Sequence, residues 1–137
     1  MIKRVLLPVD GSSFSEKAGE YAIYLAKNLN AHIIVIHVIQ VGATQKLDSE
    51  NIEMKKLRQS DLCFKSLKEK AVKEAIELET KILVSRTIVD SILEEAKDGD
   101  YDLIVMGSRG LSGIKKLVLG SVTGGVVKKS TIPVLVV

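Results

Sequence analysis

The stretch Leu103-Ile104-Val105-Met106-Gly107-Ser108-Arg109-Gly110-Leu111-Ser112-Gly113 decides how this chain folds. A short run of apolar, largely β-branched residues gives way to spaced glycines. Apolar residues without polar alternation read as a strand buried on both faces, as in a parallel sheet. The glycines stand where that strand ends and a loop turns. At the carboxyl edge of a parallel α/β sheet, this is where ligands bind. Glycine lets the backbone approach a ligand closely. Backbone N–H groups in such a loop, or at the start of the next helix, suit an anion, above all phosphate. The chain reads first as a nucleotide-binding module.

Runs of the same kind recur outward from this one, at Val5 to Val9, Ile33 to Val38 and Val134 to Val137, with a weaker one at Ile82-Leu83-Val84. Helical patterns fill the intervals. Phe14, Ala18, Tyr21, Ala22, Leu25, Ala26 and Leu29 form one apolar stripe. Ser13 and Glu16 have the spacing of a capping box at its start. Leu67, Ala71, Ala75 and Leu78 mark a second helix, with Lys65/Glu69 and Glu69/Lys73 four apart on a solvated face. Val89, Ile92, Leu93 and Ala96 mark a third, ended by Asp98-Gly99-Asp100. A fourth starts near Gly120 and runs to about Lys129, and Pro133 opens the last strand. The alternation is β-α-β-α-β-α-β-α-β. It requires right-handed crossovers and a mainly parallel sheet between helical layers. Residues 40–60 form a long, polar connection, read either as a lid or as a plain surface excursion.

The chain has 137 residues, 46% of them hydrophobic, enough for one compact domain spanning 1–137. A net charge of +3 and the absence of tryptophan argue against nucleic acid. No run approaches the roughly 20 apolar residues of a membrane span. The basic, apolar start resembles a signal peptide only briefly, since Pro8 and Asp10 close it off. Cys63 has no internal partner and reads as a small buried or half-buried residue in a reducing, cytoplasmic setting. His32 and His37 lack further ligands at metal spacing and read as structural.

Two familiar phosphate motifs fail on the letters. For G-x-x-x-x-G-K-[ST], Ser112 and Lys115 fall where the second glycine is needed. For G-x-G-x-x-G, Gly11 is followed by Ser12 and Ser13. What remains is Gly107-x2-Gly110-x9-Gly120-Ser121, with Ile114 to Leu119 able to fold back so that the second cluster opens the last helix. The hydroxyls of Ser121 and Thr123 then stand available to phosphate oxygens. The glycines read equally as permitting a tight turn and close helix–strand packing.

The segments Asp102 to Gly110, Leu119 to Thr123 and Ile132 to Val137, with the opening Val5 to Ser12, resemble the universal stress protein family. The resemblance covers essentially the whole chain and is weakest over residues 40–80. The G-x2-G-x9-G-S spacing is that of the family's ATP-binding branch. The resemblance implies a five-stranded parallel sheet in the order 3-2-1-4-5, an adenine nucleotide α-hydrolase-like fold, with ATP at the carboxyl strand edge and dimerisation. Asp10 and Gly107 then face one crevice.

By that resemblance Pro8, Val9 and Asp10 line the adenosine, and the Asp10 carboxylate takes a ribose hydroxyl or supports Mg or Mn brought by the nucleotide. A helix-capping role for Asp10 competes. Val38 presents its main chain to the adenine edge. Met106 packs on the base or sugar, or fills core. Gly107, Gly110, Gly120, Ser121, Val122 and Thr123 surround the ribose and phosphates. Arg109, Lys115 and Lys116 are phosphate-neutralising or simply solvated. No catalytic residue and no protein-only metal site is assigned.

Two departures stand out. Thr87-Ile88-Val89-Asp90 replaces the family's glycine and proline before the third helix. Gly124-Gly125 sits where the fourth helix should begin, so a late or frayed start is expected. The leading function is an ATP-binding regulatory or stress-response protein acting as a dimeric switch or adaptor. A slow ATPase or autophosphorylating enzyme and a nucleotide-free structural dimer are the alternatives. The wholly apolar Val134 to Val137 edge calls for pairing, hence a homodimer through that strand. A downstream protein partner is left unnamed.

Overall fold

The computed structural model describes residues 1–43, 52–110 and 119–137. The elements are β1 (Arg4–Pro8), α1 (Ser13–Leu29), β2 (His32–Gln40), α2 (Met54–Lys73), β3 (Leu78–Ser85), α3 (Ile88–Asp98), β4 (Leu103–Met106), α4 (Ser121–Lys129) and β5 (Val134–Val136). The strands form one sheet in the order β3-β2-β1-β4-β5, and every pairing is parallel. The expected α/β three-layer sandwich and its strand order are therefore present.

Side-chain alternation divides the interior into two cores. Val5, Leu7, Val9, Ile33 and Val35 point toward α1 and α2, where Ala18, Ala22, Phe64 and Leu67 meet them. Leu6, Ile34, Ile36, Val38, Ile104 and Met106 point the other way, onto Ile92, Ala96 and Val126 of α3 and α4. Burial on both faces is why β1, β2 and β4 carry no polar alternation.

β3 is longer than its apolar signal. It begins at Leu78, which the helical stripe had claimed, and Ala75 turns the chain at φ +56° between α2 and β3. β3 is an edge strand whose Glu79 and Lys81 are exposed, so its pattern alternates where the central strands do not. α2 begins at Met54, shortening the expected 40–60 connection. The ion pairs of the described residues run between elements rather than along α2. Lys70 joins Glu16 and Glu20, Lys27 joins Glu74, and Lys81 joins Glu95.

Two expectations about helix starts are corrected. The cap of α1 is Ser12, not Ser13: its Oγ accepts the Ser15 N–H at 3.1 Å. Glu16 is released from the expected box and reaches Lys70 on α2 instead. α4 does not start late. It is helical from Ser121, with Gly124 and Gly125 inside it. A Cβ on Gly125 would stand 2.8 Å from Val89 Cγ2, so this glycine lets α4 lie close on α3. Before α3, Thr87 occupies the N-cap position, and its hydroxyl donates to Asp90 at 3.1 Å.

Candidate functional site

β1 and β4 are neighbours where the winding of the sheet reverses, and their carboxyl ends open one crevice. On the β1 side, Pro8 and Val9 are buried and Asp10 is half-buried. The Val9 N–H donates to Ile36 O at 2.8 Å and closes the ladder with β2. Asp10 then braces the turn into α1, its Oδ1 accepting the Ser12 N–H at 2.9 Å. Its other oxygen faces across the crevice. A Cβ built on Gly110 would lie 2.6 Å from Asp10 Oδ2.

β2 runs past the end of β1. The β1–β2 register stops at Pro8 and Ile36. Strand polar groups alternate sides, so the N–H and C=O of Val38 point the same way as those of Ile36, where no β1 residue stands opposite. The Val38 side chain meanwhile lies in the core toward α3 and α4. Its main chain and side chain thus serve different surfaces. Met106 is 4% exposed in that same core, which satisfies the core-filling reading of this residue.

On the β4 side, Gly107 is held from two directions. A Cβ there would sit 2.6 Å from the carbonyl carbon of Phe14, so the start of α1 packs directly on the β4 end. From α4, the buried Thr123 hydroxyl donates to Gly107 O at 2.7 Å. That hydroxyl is therefore spent on the backbone, whereas Ser121 is exposed. Ser108 donates its N–H to Val137 O at 2.9 Å and accepts the Gly120 N–H at 2.8 Å. The two glycine clusters are brought together: a Cβ on Gly120 would stand 3.4 Å from Gly110 N. Val122 packs partly into the core of the α3 and α4 layer.

α4 starts at this point without a side-chain cap and without an acidic residue in its first turn. Its leading N–H groups carry the positive end of the helix dipole toward the crevice. Arg109 extends its guanidinium over the Phe14 ring, 5.4 Å from the centroid. Lys115 and Lys116 lie outside the described residues. So do Leu111, Ser112 and Gly113.

Behind the Asp10 turn, His37 is buried, and its Nδ1 meets Ser60 Oγ of α2 at 2.6 Å. Burial lowers its pKa, and the Asp10 carboxylate pulls the other way. Cys63, also on α2, is buried beneath Gly11, and burial raises its thiol pKa. Both side chains occupy the structural places expected of them. Phe14 is the neighbour of the β4 loop that sequence reading missed. It registered only as the first member of an apolar stripe, and the position of its backbone beside Gly107 becomes visible only once β1 and β4 are adjacent.

The chain matches the universal stress protein family over residues 1–137. It belongs to that family. This universal stress protein is 34% identical over 148 residues to universal stress protein YxiE of Bacillus subtilis, covering 100% of this chain and 99% of that one. It also resembles the solved structure of MJ0577, a universal stress protein of Methanocaldococcus jannaschii. There the TM-score is 0.81 at 30% identity, over 100% of this chain and 96% of the other. A universal stress protein solved in complex with cAMP superposes with a TM-score of 0.78 at 25% identity, over 98% of this chain and 96% of that one.

Proposed function

We propose that this universal stress protein binds ATP, or a closely related adenine nucleotide, in the crevice between the ends of β1, β2 and β4. The observation that carries the reading is the meeting of Gly107, Gly110 and Gly120 at the uncapped start of α4, opposite Asp10. The residues present fit the group. Val38 offers a main-chain donor and acceptor for an adenine edge, and Pro8 and Val9 form a buried floor beside it. Asp10 supplies a carboxylate for a ribose hydroxyl or for Mg or Mn arriving with the nucleotide. The Gly107–Gly110 loop and the N–H groups of Ser121, Val122 and Thr123 suit phosphate oxygens. The cAMP complex of a relative supports the adenine class.

The biological role that follows is a cytoplasmic regulatory protein working as a nucleotide-dependent dimer. β5 is the edge strand through which a second copy pairs, since Val134 to Val137 are apolar and only partly buried. Calorimetry with Mg-ATP on stripped protein tests the binding, with mass analysis of any small molecule released on denaturation. Micromolar binding is expected, and no heat at millimolar ATP overturns the reading. Light scattering on the same sample checks the dimer, and a monomer mass at micromolar concentration refutes it. Phosphate release in that sample separates binding from a slow ATPase.

A further inference from the structure

We infer that Arg109 is a specificity-determining residue of this crevice, selecting nucleotides by their outer phosphates. The inference rests on the nucleotide reading above and assigns it a charge-discriminating group. Arg109 lies between the two glycines of the β4 loop, and its Cα is 3.2 Å from the position of a Cβ on Gly120, the N-cap of α4. Its Nε is buried and has no hydrogen-bond partner among the described residues. A buried donor of a charged group left unpaired is costly, and such a group in a folded protein calls for an explanation. The guanidinium rests on the face of Phe14, which holds a cation in place without consuming its N–H donors.

The charge balance gives the guanidinium that this buried Nε anchors its purpose. Asp10 places a carboxylate on the same crevice, facing Gly110. A monophosphate adds about two negative charges near pH 7, and each further phosphate adds to the repulsion. Helix N-terminal amides offset part of it. A guanidinium presents a planar fork of donors that matches phosphate geometry. Arg109 is thus the complement of the part of ATP that AMP lacks.

The test is calorimetric titration of the full chain and of Arg109→Met and Arg109→Lys with ATP, ADP and AMP in magnesium. Arg109→Met is expected to weaken ATP by about tenfold to a hundredfold, the range of a charged hydrogen bond. AMP should change by less than about threefold. Arg109→Lys should fall between, keeping the charge and losing the fork. Urea melts of each variant separate binding from folding. Equal loss for ATP and AMP, or no loss for either, overturns the assignment while leaving the nucleotide reading intact. Failure of the unaltered chain to bind all three nucleotides overturns the nucleotide reading, and this inference with it.

Discussion

The Oδ2 of Asp10 lies 2.6 Å from where a side chain on Gly110 would begin. The second glycine of the β4 loop thus faces an acidic side chain of the β1 loop, and its bareness is what lets the carboxylate occupy the crevice. Gly110→Ala should displace Asp10 and weaken adenine nucleotide about tenfold or more. Asp10→Ala removes the obstacle, so the double variant should bind no worse than Asp10→Ala alone. Strictly additive losses in calorimetry would sink this account.

Gly107 differs, because the atoms it meets are Phe14 backbone rather than a movable side chain. Gly107→Ala should lower folding stability by about 1–3 kcal/mol, the cost of overpacking a rigid contact. Urea denaturation measures this directly, and an unchanged midpoint contradicts it.

Thr123 ties α4 to β4 through one buried hydrogen bond. Thr123→Val keeps the shape but leaves the Gly107 carbonyl without its donor, a loss of about 1–3 kcal/mol. Thr123→Ser should recover most of it. If valine and serine prove equally stable in urea melts, the hydrogen bond is not what holds the helix start.

His37 sets an acid limit on stability. Burial lowers its folded pKa below the ordinary 6.5, so the unfolded chain takes up the proton first. The contribution is complete above about pH 6.5 and is lost as pH falls toward the folded value. Urea midpoints should therefore begin to drop as pH falls below about 6.5. His37→Gln should flatten that drop. An equally steep decline in the variant would assign the effect elsewhere.

The central strands were legible because each is buried on both faces and shows it in a near-continuous apolar run, broken in β2 only by His37. β3 was half legible: Ile82 to Val84 stood out, while Leu78 to Lys81 alternate as an exposed edge does and merged with the preceding helical stripe. The α1 cap was misplaced by one residue because Ser12 and Ser13 are chemically equivalent letters. Only the Asp10 turn, which takes the Ser12 N–H, distinguishes them. Of the candidate site, the glycine spacing could be read directly. What could not be read was which surface each glycine accommodates, because Phe14 and Asp10 reach Gly107 and Gly110 only through the adjacency of β1 and β4. That the Nε of Arg109 is buried without a partner among the described residues is invisible to any pattern of letters.

Ser108 joins two regions through its own peptide groups, the N–H to Val137 and the C=O to Gly120. That one residue ties the rim of the sheet to the head of α4. The seat of the last strand and the start of the last helix therefore share a single point of attachment.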